Sequence, residues 1–119
     1  MKRLLERNRR RKRRKMRVRR KIAGSAIRPR LSVYKSNRYL YVQAIDDDVG
    51  RTLAAVSTAH GDTKGLKLRV EDAEKLGLAL GERMKAESIQ EAVFDRNGYL
   101  YHGVVKAVAE GVRKAGVRL

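Results

Sequence analysis

The sequence has no cysteine and no tryptophan, only one proline, and 13 acidic residues against 30 basic ones. Without cysteine, disulfides and thiolate zinc sites are excluded, and a reducing compartment is a suitable location. No apolar run approaches the roughly 18 residues that a membrane-spanning helix needs, and no apolar stretch follows the basic start as it would in a signal peptide. With 119 residues, the chain is long enough for one compact domain and too short for two ordinary ones.

Positive charge is abundant, and it is concentrated at the start of the chain. Residues 1–30 contain 16 lysines and arginines and a single acidic residue, Glu6, so that +15 of the net charge of +17 lies there. A basic arm on a nearly neutral body is typical of a protein that inserts the arm into nucleic acid. A mitochondrial presequence is also Arg-rich and acid-poor, but residues 1–22 contain no serine or threonine. A solvated tail or import signal is a further alternative, and an anionic membrane surface is a weaker one, because the arm has no apolar face to insert.

The arm is a block of like charge that repels itself and cannot bury a core. We therefore expect residues 1–27 to form a basic RNA-binding arm that is disordered when free and becomes helical or extended against phosphates, ahead of a globular domain over residues 28–119. The stretch "GSAIRP" between them, residues 24–29, has the composition of a linker. The arm residues expected to bind RNA are Arg9, Arg10, Arg11, Lys12, Arg13, Arg14, Lys15, Arg17, Arg19 and Arg20.

The body alternates apolar and polar residues in "RLSVYK", "YLYVQAI" and "TLAAVST", which predicts three strands joined by short turns. From Val70 the apolar residues follow helical spacing, and Gly77 and Gly81 on that stripe would allow the helix to approach a sheet closely. The stretch "IQEAVFD" predicts a fourth strand, and a last helix carries Val105 to Val112 inward and ends near Gly116. The expected fold is α/β of the α+β kind: a mixed sheet with the order β-β-β-α-β-α.

Two stretches could carry chemistry. Asp46, Asp47 and Asp48 suggest a metal-dependent nuclease, but consecutive strand residues point to opposite faces, and aspartates before Gly50 are typical of a turn. The stretch "FDRNGYLYHG", residues 94–103, contains Asp95 and His102, which could act as acid and base. The same stretch could equally bind a polyanion, because its arginine, tyrosines and histidine offer hydrogen-bond donors and aromatic rings for stacking. In that case Asp95 would only form hydrogen bonds that stabilise the turn. Since no nucleophile or metal-ligand set accompanies the pair, binding is the favoured interpretation, and neither a metal nor another cofactor is expected.

Two long segments, "RPRLSVYKSNRYLYVQAIDDDVGRTLAAVST" and "AVFDRNGYLYHGVVKAVAEGVRKAGVRL", resemble the family of bacterial large-subunit ribosomal protein eighteen, which binds 5S rRNA. The resemblance runs from Arg28 to Leu119, and the arm matches only in being basic. It implies a topology related to ribonuclease H without nuclease activity. It also implies a non-catalytic structural role in the cytoplasmic ribosome, where the protein would join 5S rRNA to 23S rRNA in the central protuberance of the 50S subunit. Its partners would be these RNAs and neighbouring 50S proteins, with no membrane, and it would be a monomer within the ribosome.

Carried over by position, the resemblance implies two sets of RNA-binding residues in the body. The first segment would contribute Arg28, Arg30, Ser32, Tyr34, Lys35, Ser36, Asn37, Arg38, Tyr39, Tyr41 and Gln43. The second would contribute Arg96, Tyr99, Tyr101, His102, Gly103 and Lys106. Val104 stands where the family usually has arginine, so no phosphate contact is carried over to that position. Asn97 stands where glycine is common in the family, which implies a positive φ that asparagine tolerates. A metal-dependent nuclease of the same topology and a nonspecific DNA-compacting protein are the alternatives.

Overall fold

The computed structural model describes residues 8–14 and 23–119 of the chain. The arm residues Lys15, Arg17, Arg19 and Arg20, expected to bind RNA, lie outside the described residues. The elements are the strands β1 (Arg30–Lys35), β2 (Leu40–Asp46), β3 (Arg51–Ser57) and β4 (Val93–Asp95), the helices α1 (Val70–Ala86) and α2 (Val104–Lys114), and a 3-10 turn at Gly61–Thr63. Residues 8–14 are also helical and are called the arm helix below. The predicted order β-β-β-α-β-α and the α+β class are confirmed.

The four strands form one mixed sheet in the order β3-β2-β1-β4. β1 pairs antiparallel with β2, and β2 with β3, as the short turns between them require. β4 runs parallel to β1, because α1 carries the chain back across the sheet before β4 begins. The two strands run in the same direction, and Asp95 at the end of β4 pairs with Ser32 of β1, so the turn after β1 and the loop after β4 lie toward the same end of the sheet.

One face of the sheet is buried and the other is open, as the alternation of apolar and polar residues predicts. Leu31 and Val33 of β1 and Leu40, Val42 and Ala44 of β2 are completely buried. They form one core cluster with the apolar residues of the two helices. Residues of the opposite face, such as Tyr34 and Gln43, are exposed. The helices thus cover one face of the sheet and leave the other accessible to a partner.

The two helices pack closely at glycine positions. A Cβ at Gly77 of α1 would lie 2.2 Å from the carbonyl oxygen of Val108 in α2, and a Cβ at Gly111 of α2 would lie 2.1 Å from the carbonyl oxygen of Glu74. The prediction that Gly77 and Gly81 allow an approach to the sheet is wrong, because both face α2 or the residue that follows it. Within the part of the chain that the structure describes, no helix is both long and apolar enough to cross a membrane.

The fourth strand is shorter than the pattern "IQEAVFD" predicts. Ile89 and Ala92 are buried, but only Val93–Asp95 pairs with β1. The residues just before them pair with the C-terminal end instead, since the amide of Ala92 donates to the carbonyl of Arg118 and the amide of Arg118 donates to that of Gln90. A distant segment therefore provides partners that local periodicity does not reveal.

Candidate nucleic-acid interface

Three tyrosines form a row on the open face of the sheet. Tyr34 of β1 stands directly opposite Tyr41 of β2, because their positions are paired in the antiparallel register. The ring centroids of Tyr34 and Tyr41 lie 6.0 Å apart, and those of Tyr39 and Tyr41 lie 6.5 Å apart. Tyr34 is 50 % exposed and Tyr39 is 41 % exposed. This tyrosine row presents accessible aromatic faces of the kind on which unpaired bases stack.

A groove of about 770 Å³ lies beside the tyrosine row and is called the arm groove below. Three segments of the chain form its walls, namely the arm helix, the end of β1 with its following turn, and the loop after β4, and Val105 of α2 adds to the lining. The lining residues are Asn8, Arg11, Arg14, Tyr34, Lys35, Ser36, Asn37, Tyr99, Leu100, His102 and Val105. None of these side chains is acidic and three are permanently cationic, so the groove is an electrostatically suitable site for a phosphate backbone.

Tyr99 connects the three walls of the arm groove. Its hydroxyl accepts a hydrogen bond from the amide of Lys35 over 3.1 Å, donates to the carbonyl of the same residue over 3.1 Å, and accepts from the guanidinium of Arg11 over 3.2 Å. The guanidinium carbon of Arg11 lies 4.9 Å from the centre of the Tyr99 ring, and the ammonium of Lys35 lies 5.7 Å from it. Tyr99 therefore positions two cations at the groove.

The turn that precedes Tyr99 is in direct contact with the arm helix. Asn97 has a φ of 52° and Gly98 a φ of 78°, which confirms that the turn needs residues tolerant of positive φ. A Cβ at Gly98 would lie 2.2 Å from the carbonyl oxygen of Arg11. The guanidinium of Arg14 donates to the carbonyl of Gly98 over 2.7 Å. The backbone of the arm helix can approach the turn only because position 98 has no side chain.

Asp95 holds this turn from below, as one interpretation of the sequence predicted. Its carboxylate is completely buried; Oδ1 accepts from the amide of Asn97 over 2.8 Å, and Oδ2 accepts from the guanidinium of Arg30 over 2.9 Å. His102, the other member of the suggested acid/base pair, is exposed. Asp95 is thus occupied with structural partners while His102 faces the arm groove.

Arg30 stands apart from the other residues expected to bind RNA, because it is 9 % exposed and contacts two carboxylates. It bridges Asp95 and Asp47, donating to Asp47 over 2.9 and 3.0 Å. Burial lowers the pKa of Arg30, but the hydrogen bonds and charges of Asp47 and then Asp95 outweigh burial and leave it above its usual value. Asp47 also accepts from the amide of Gly24 over 2.7 Å, so this cluster ties the last part of the arm segment to the sheet.

The three aspartates at the end of β2 do not share one role. Asp46 accepts from the amide of Asp48 over 3.0 Å, and Asp47 binds Arg30 and Gly24 as described. Among residues 8–14 and 23–119, no group of three or more His, Cys, Asp or Glu side chains is placed to hold a metal ion.

The other residues expected to bind RNA are distributed around the row and the groove. Exposed ones are Arg9, Arg10, Lys12, Arg13, Arg28, Lys35, Asn37, Arg38, Gln43, Tyr101, His102 and Lys106. Partly exposed ones are Arg11, Arg14, Ser32, Ser36, Tyr41, Arg96, Tyr99 and Gly103. Tyr101 stacks edge-on against Phe94 at 5.9 Å and its hydroxyl accepts from Arg113 over 3.1 Å. Val104 is partly buried against the core.

Sequence reasoning did not select Leu100, which is 63 % exposed and lines the arm groove. Its position between Tyr99 and Tyr101 could have indicated a binding role. A large apolar residue at the tip of a polar loop does not reach the core and so remains exposed to a partner.

Comparison with known proteins gives evidence that is independent of this geometry. The family described as ribosomal L18 of archaea, bacteria, mitochondria and chloroplasts matches residues 5–119. A protein of Treponema denticola named large ribosomal subunit protein uL18 is 52 % identical over 113 residues, which is 95 % of this chain and 94 % of that protein. Proteins of the same name from Oleidesulfovibrio alaskensis and Helicobacter pylori strain G27 are 49 % and 50 % identical, over 95 % and 92 % of this chain and 97 % and 90 % of their own lengths.

Proposed function

This chain belongs to the ribosomal L18 family, and on that premise we propose that it binds 5S rRNA and helps to attach it to 23S rRNA in the central protuberance of the large ribosomal subunit. It is a structural component of the large subunit and not an enzyme. Neighbouring 50S proteins are its further partners, and it acts as a monomer within the ribosome.

The observation that carries the proposal is the combination of the tyrosine row with the cationic arm groove on one open face. The grooves of an A-form RNA helix allow little base readout by side chains, so recognition depends on phosphates, 2′-hydroxyls, shape and stacking on unpaired bases. Tyr34 and Tyr39 offer stacking faces, and Arg11, Arg14 and Lys35 offer charge beside them. Ser32 and Gln43, paired across the same face, add hydrogen-bonding groups for 2′-hydroxyls.

The arm extends this contact. Arg9, Arg10, Lys12 and Arg13 are exposed on the arm helix, so their charges are directed to solvent or to a bound polyanion. We propose that residues 1–27 form the arm, that residues 28–119 form the globular 5S rRNA-binding domain, and that the arm orders fully only between RNA elements. Each phosphate that a basic side chain neutralises releases condensed counterions, which makes binding steeply dependent on salt.

A salt titration of 5S rRNA binding by the full-length chain tests the proposal. The double variant Arg9→Gln/Arg10→Gln should bind more weakly, and the slope of log affinity against log salt should fall by about one for each lost phosphate contact. Its control is Lys75→Gln/Lys85→Gln, which removes two charges from the exposed surface of α1 and should leave the slope unchanged. His102→Ala should also weaken binding, since His102 faces the arm groove.

Three results would overturn the proposal. The first is equal affinity of the unchanged protein for 5S rRNA and for an unrelated RNA of the same length. The second is a preference for duplex DNA at matched salt, which would favour nonspecific DNA compaction. The third is cleavage of 5S rRNA by the protein with Mg²⁺, which would favour a nuclease.

A further inference from the structure

A second concave surface lies on the other side of the turn between β1 and β2. It has a volume of about 360 Å³ and is called the loop hollow below. Lys35, Ser36 and Asn37 line the arm groove, whereas the next two residues, Arg38 and Tyr39, line the loop hollow. The rest of its lining comes from the loop after β3, through Thr58, Ala59, Lys64, Gly65, Leu66, Lys67 and Leu68.

The loop hollow is cationic. Arg38, Lys64 and Lys67 are exposed, and none of the residues that line the hollow is acidic. The neighbouring carboxylate of Asp72 is buried; it accepts from the backbone amide of Lys67 over 2.7 Å and from the guanidinium of Arg69 over 3.1 Å. Asp72 therefore holds the backbone of the loop through the amide of Lys67 and not through its ammonium group.

Hydrogen bonds to β2 hold the loop after β3, which contains Lys64 and Lys67, in place. The Thr58 hydroxyl accepts from the amide of Leu40 over 3.0 Å, and the amide of Thr58 donates to the carbonyl of Leu40 over 3.0 Å. The amide of Gly65 in turn donates to the carbonyl of Thr58 over 3.4 Å. The loop is thus tied to the strand that begins directly after Tyr39, which limits the ordering entropy that binding would cost.

The tyrosine row connects the two concave surfaces. Tyr34 lines the arm groove, Tyr39 lines the loop hollow, and Tyr41 lies between them, 6.0 and 6.5 Å from their ring centres. A nucleic-acid strand whose bases stack on this row has a negatively charged backbone that continues beyond Tyr39. Beyond Tyr39, the phosphates of this backbone would lie next to the basic side chains of the loop hollow.

From this arrangement we propose that Lys64 and Lys67, together with Arg38, bind the phosphate backbone of the same RNA that occupies the tyrosine row. The inference rests on the proposed function and extends it to a loop that contains none of the residues so far expected to bind RNA. The contact surface then spans both sides of the β1–β2 turn, with the arm groove and the loop hollow as two anion sites joined by aromatic faces. Lysine ammonium groups bind phosphates as point charges, so this contact adds affinity and salt dependence without reading sequence.

The test compares two full-length double variants in the 5S rRNA salt titration. Lys64→Gln/Lys67→Gln should lower the slope of log affinity against log salt by up to about two, one for each lost phosphate contact. The matched variant Lys75→Gln/Lys85→Gln has the same net charge and should retain the wild-type slope. Thermal unfolding of both variants should match that of the unchanged protein, since all four lysines are exposed.

The possible outcomes separate the inference from the proposed function. If the unchanged protein binds 5S rRNA specifically but the Lys64/Lys67 variant keeps its slope and affinity, the loop hollow does not contact RNA and only the inference is overturned. The same holds if both double variants lose slope equally, because the effect would then reflect net charge alone. If the unchanged protein fails to discriminate 5S rRNA from an unrelated RNA, the proposed function is overturned, and with it the inference.

Discussion

Arg30 and Asp95 form an ion pair in which a guanidinium nitrogen lies 2.9 Å from the carboxylate Oδ2 and the aspartate side chain is completely buried. The pair joins the start of β1 to the end of β4, two positions 65 residues apart. Through Asn97 it supports the turn that contacts the arm helix, and through Asp47 it holds Gly24 near the end of the arm segment. One buried contact therefore links two places where the described part of the arm segment meets the body.

Asp95→Asn should lower the free energy of unfolding by about 3 kcal/mol, because removing one partner of a buried pair leaves an uncompensated charge. The value is expected at the low end of the range for such changes, since Asp47 still faces Arg30. Urea denaturation measures it. Asp48→Asn, which changes an exposed carboxylate in the nearby turn, serves as control and should change stability by less than about 0.5 kcal/mol. Equal losses in the two variants would contradict the structural role of Asp95.

Tyr99→Phe should destabilise the protein by about 1 kcal/mol, because the hydroxyl bonded to the backbone of Lys35 and to Arg11 is removed. Tyr101→Phe removes a hydroxyl that accepts a hydrogen bond from the exposed Arg113, so its effect should stay within about 0.5 kcal/mol. Thermal unfolding of the two variants gives the comparison. A larger loss for Tyr101→Phe would mean that the Tyr99 hydroxyl does not hold the arm groove together.

Gly98→Ala should detach the arm helix from the body. The alanine would adopt a φ of 78° with its Cβ 2.2 Å from the carbonyl oxygen of Arg11. Gly50→Ala is the matched control, because Gly50 also has a positive φ, 64°, but has no atom within 4 Å of the added Cβ. Both variants carry backbone strain of about 1 kcal/mol. Only Gly98→Ala should speed amide hydrogen exchange in residues 8–14; equal exchange in both variants would refute the contact.

Asp72 should make stability depend on pH at the acidic end. The backbone amide of Lys67 chiefly lowers the pKa of Asp72, and Arg69 adds to this, although burial acts in the opposite direction. A carboxylate whose pKa is lower in the folded state stabilises the protein fully above the unfolded value, about 3.9. The contribution is lost as the pH falls through the folded pKa.

Urea unfolding of Asp72→Asn and the unchanged protein between pH 7 and pH 2 measures this effect. The difference in unfolding free energy should be constant from pH 7 to about pH 5 and should shrink below about pH 4. Glu71→Gln, an exposed neighbour in the first turn of α1, controls for the general effect of removing a carboxylate. A difference that stays the same down to pH 2 would show that the charge of Asp72 contributes nothing.

The element order was predictable because each element has its own periodicity. Leu31 and Val33 alternate with Ser32 and Tyr34, and an apolar stripe of helical spacing begins at Val70; both patterns describe which side of an element is buried. The tyrosines of the open face followed from the same alternation. The turn at Asn97 and Gly98 was predictable from the residue types, and the positive φ of Asn97 from the glycine that the family commonly has there.

Partners distant in sequence could not be read from such patterns. Gly77 was expected to face the sheet and instead contacts Val108 of α2, because a stripe shows that a helix is buried but not what covers it. Arg30 looked like its exposed basic neighbours, yet it is enclosed by Asp47 and Asp95. The extra pairing of residues before β4 with the C-terminal end was hidden for the same reason.

The sequence by itself determined the basic arm, the sheet with one apolar face, and the aromatic and basic composition of the binding segments, because these depend on composition and on local periodicity. Only the tertiary structure decided that Tyr99 brings Arg11 and Lys35 together, that Asp95 is a buried support and not an acid/base group, and that Lys64 and Lys67 lie beside Tyr39. Charge density and side-chain alternation are properties of a segment, whereas neutralisation and proximity depend on which segments the fold brings together.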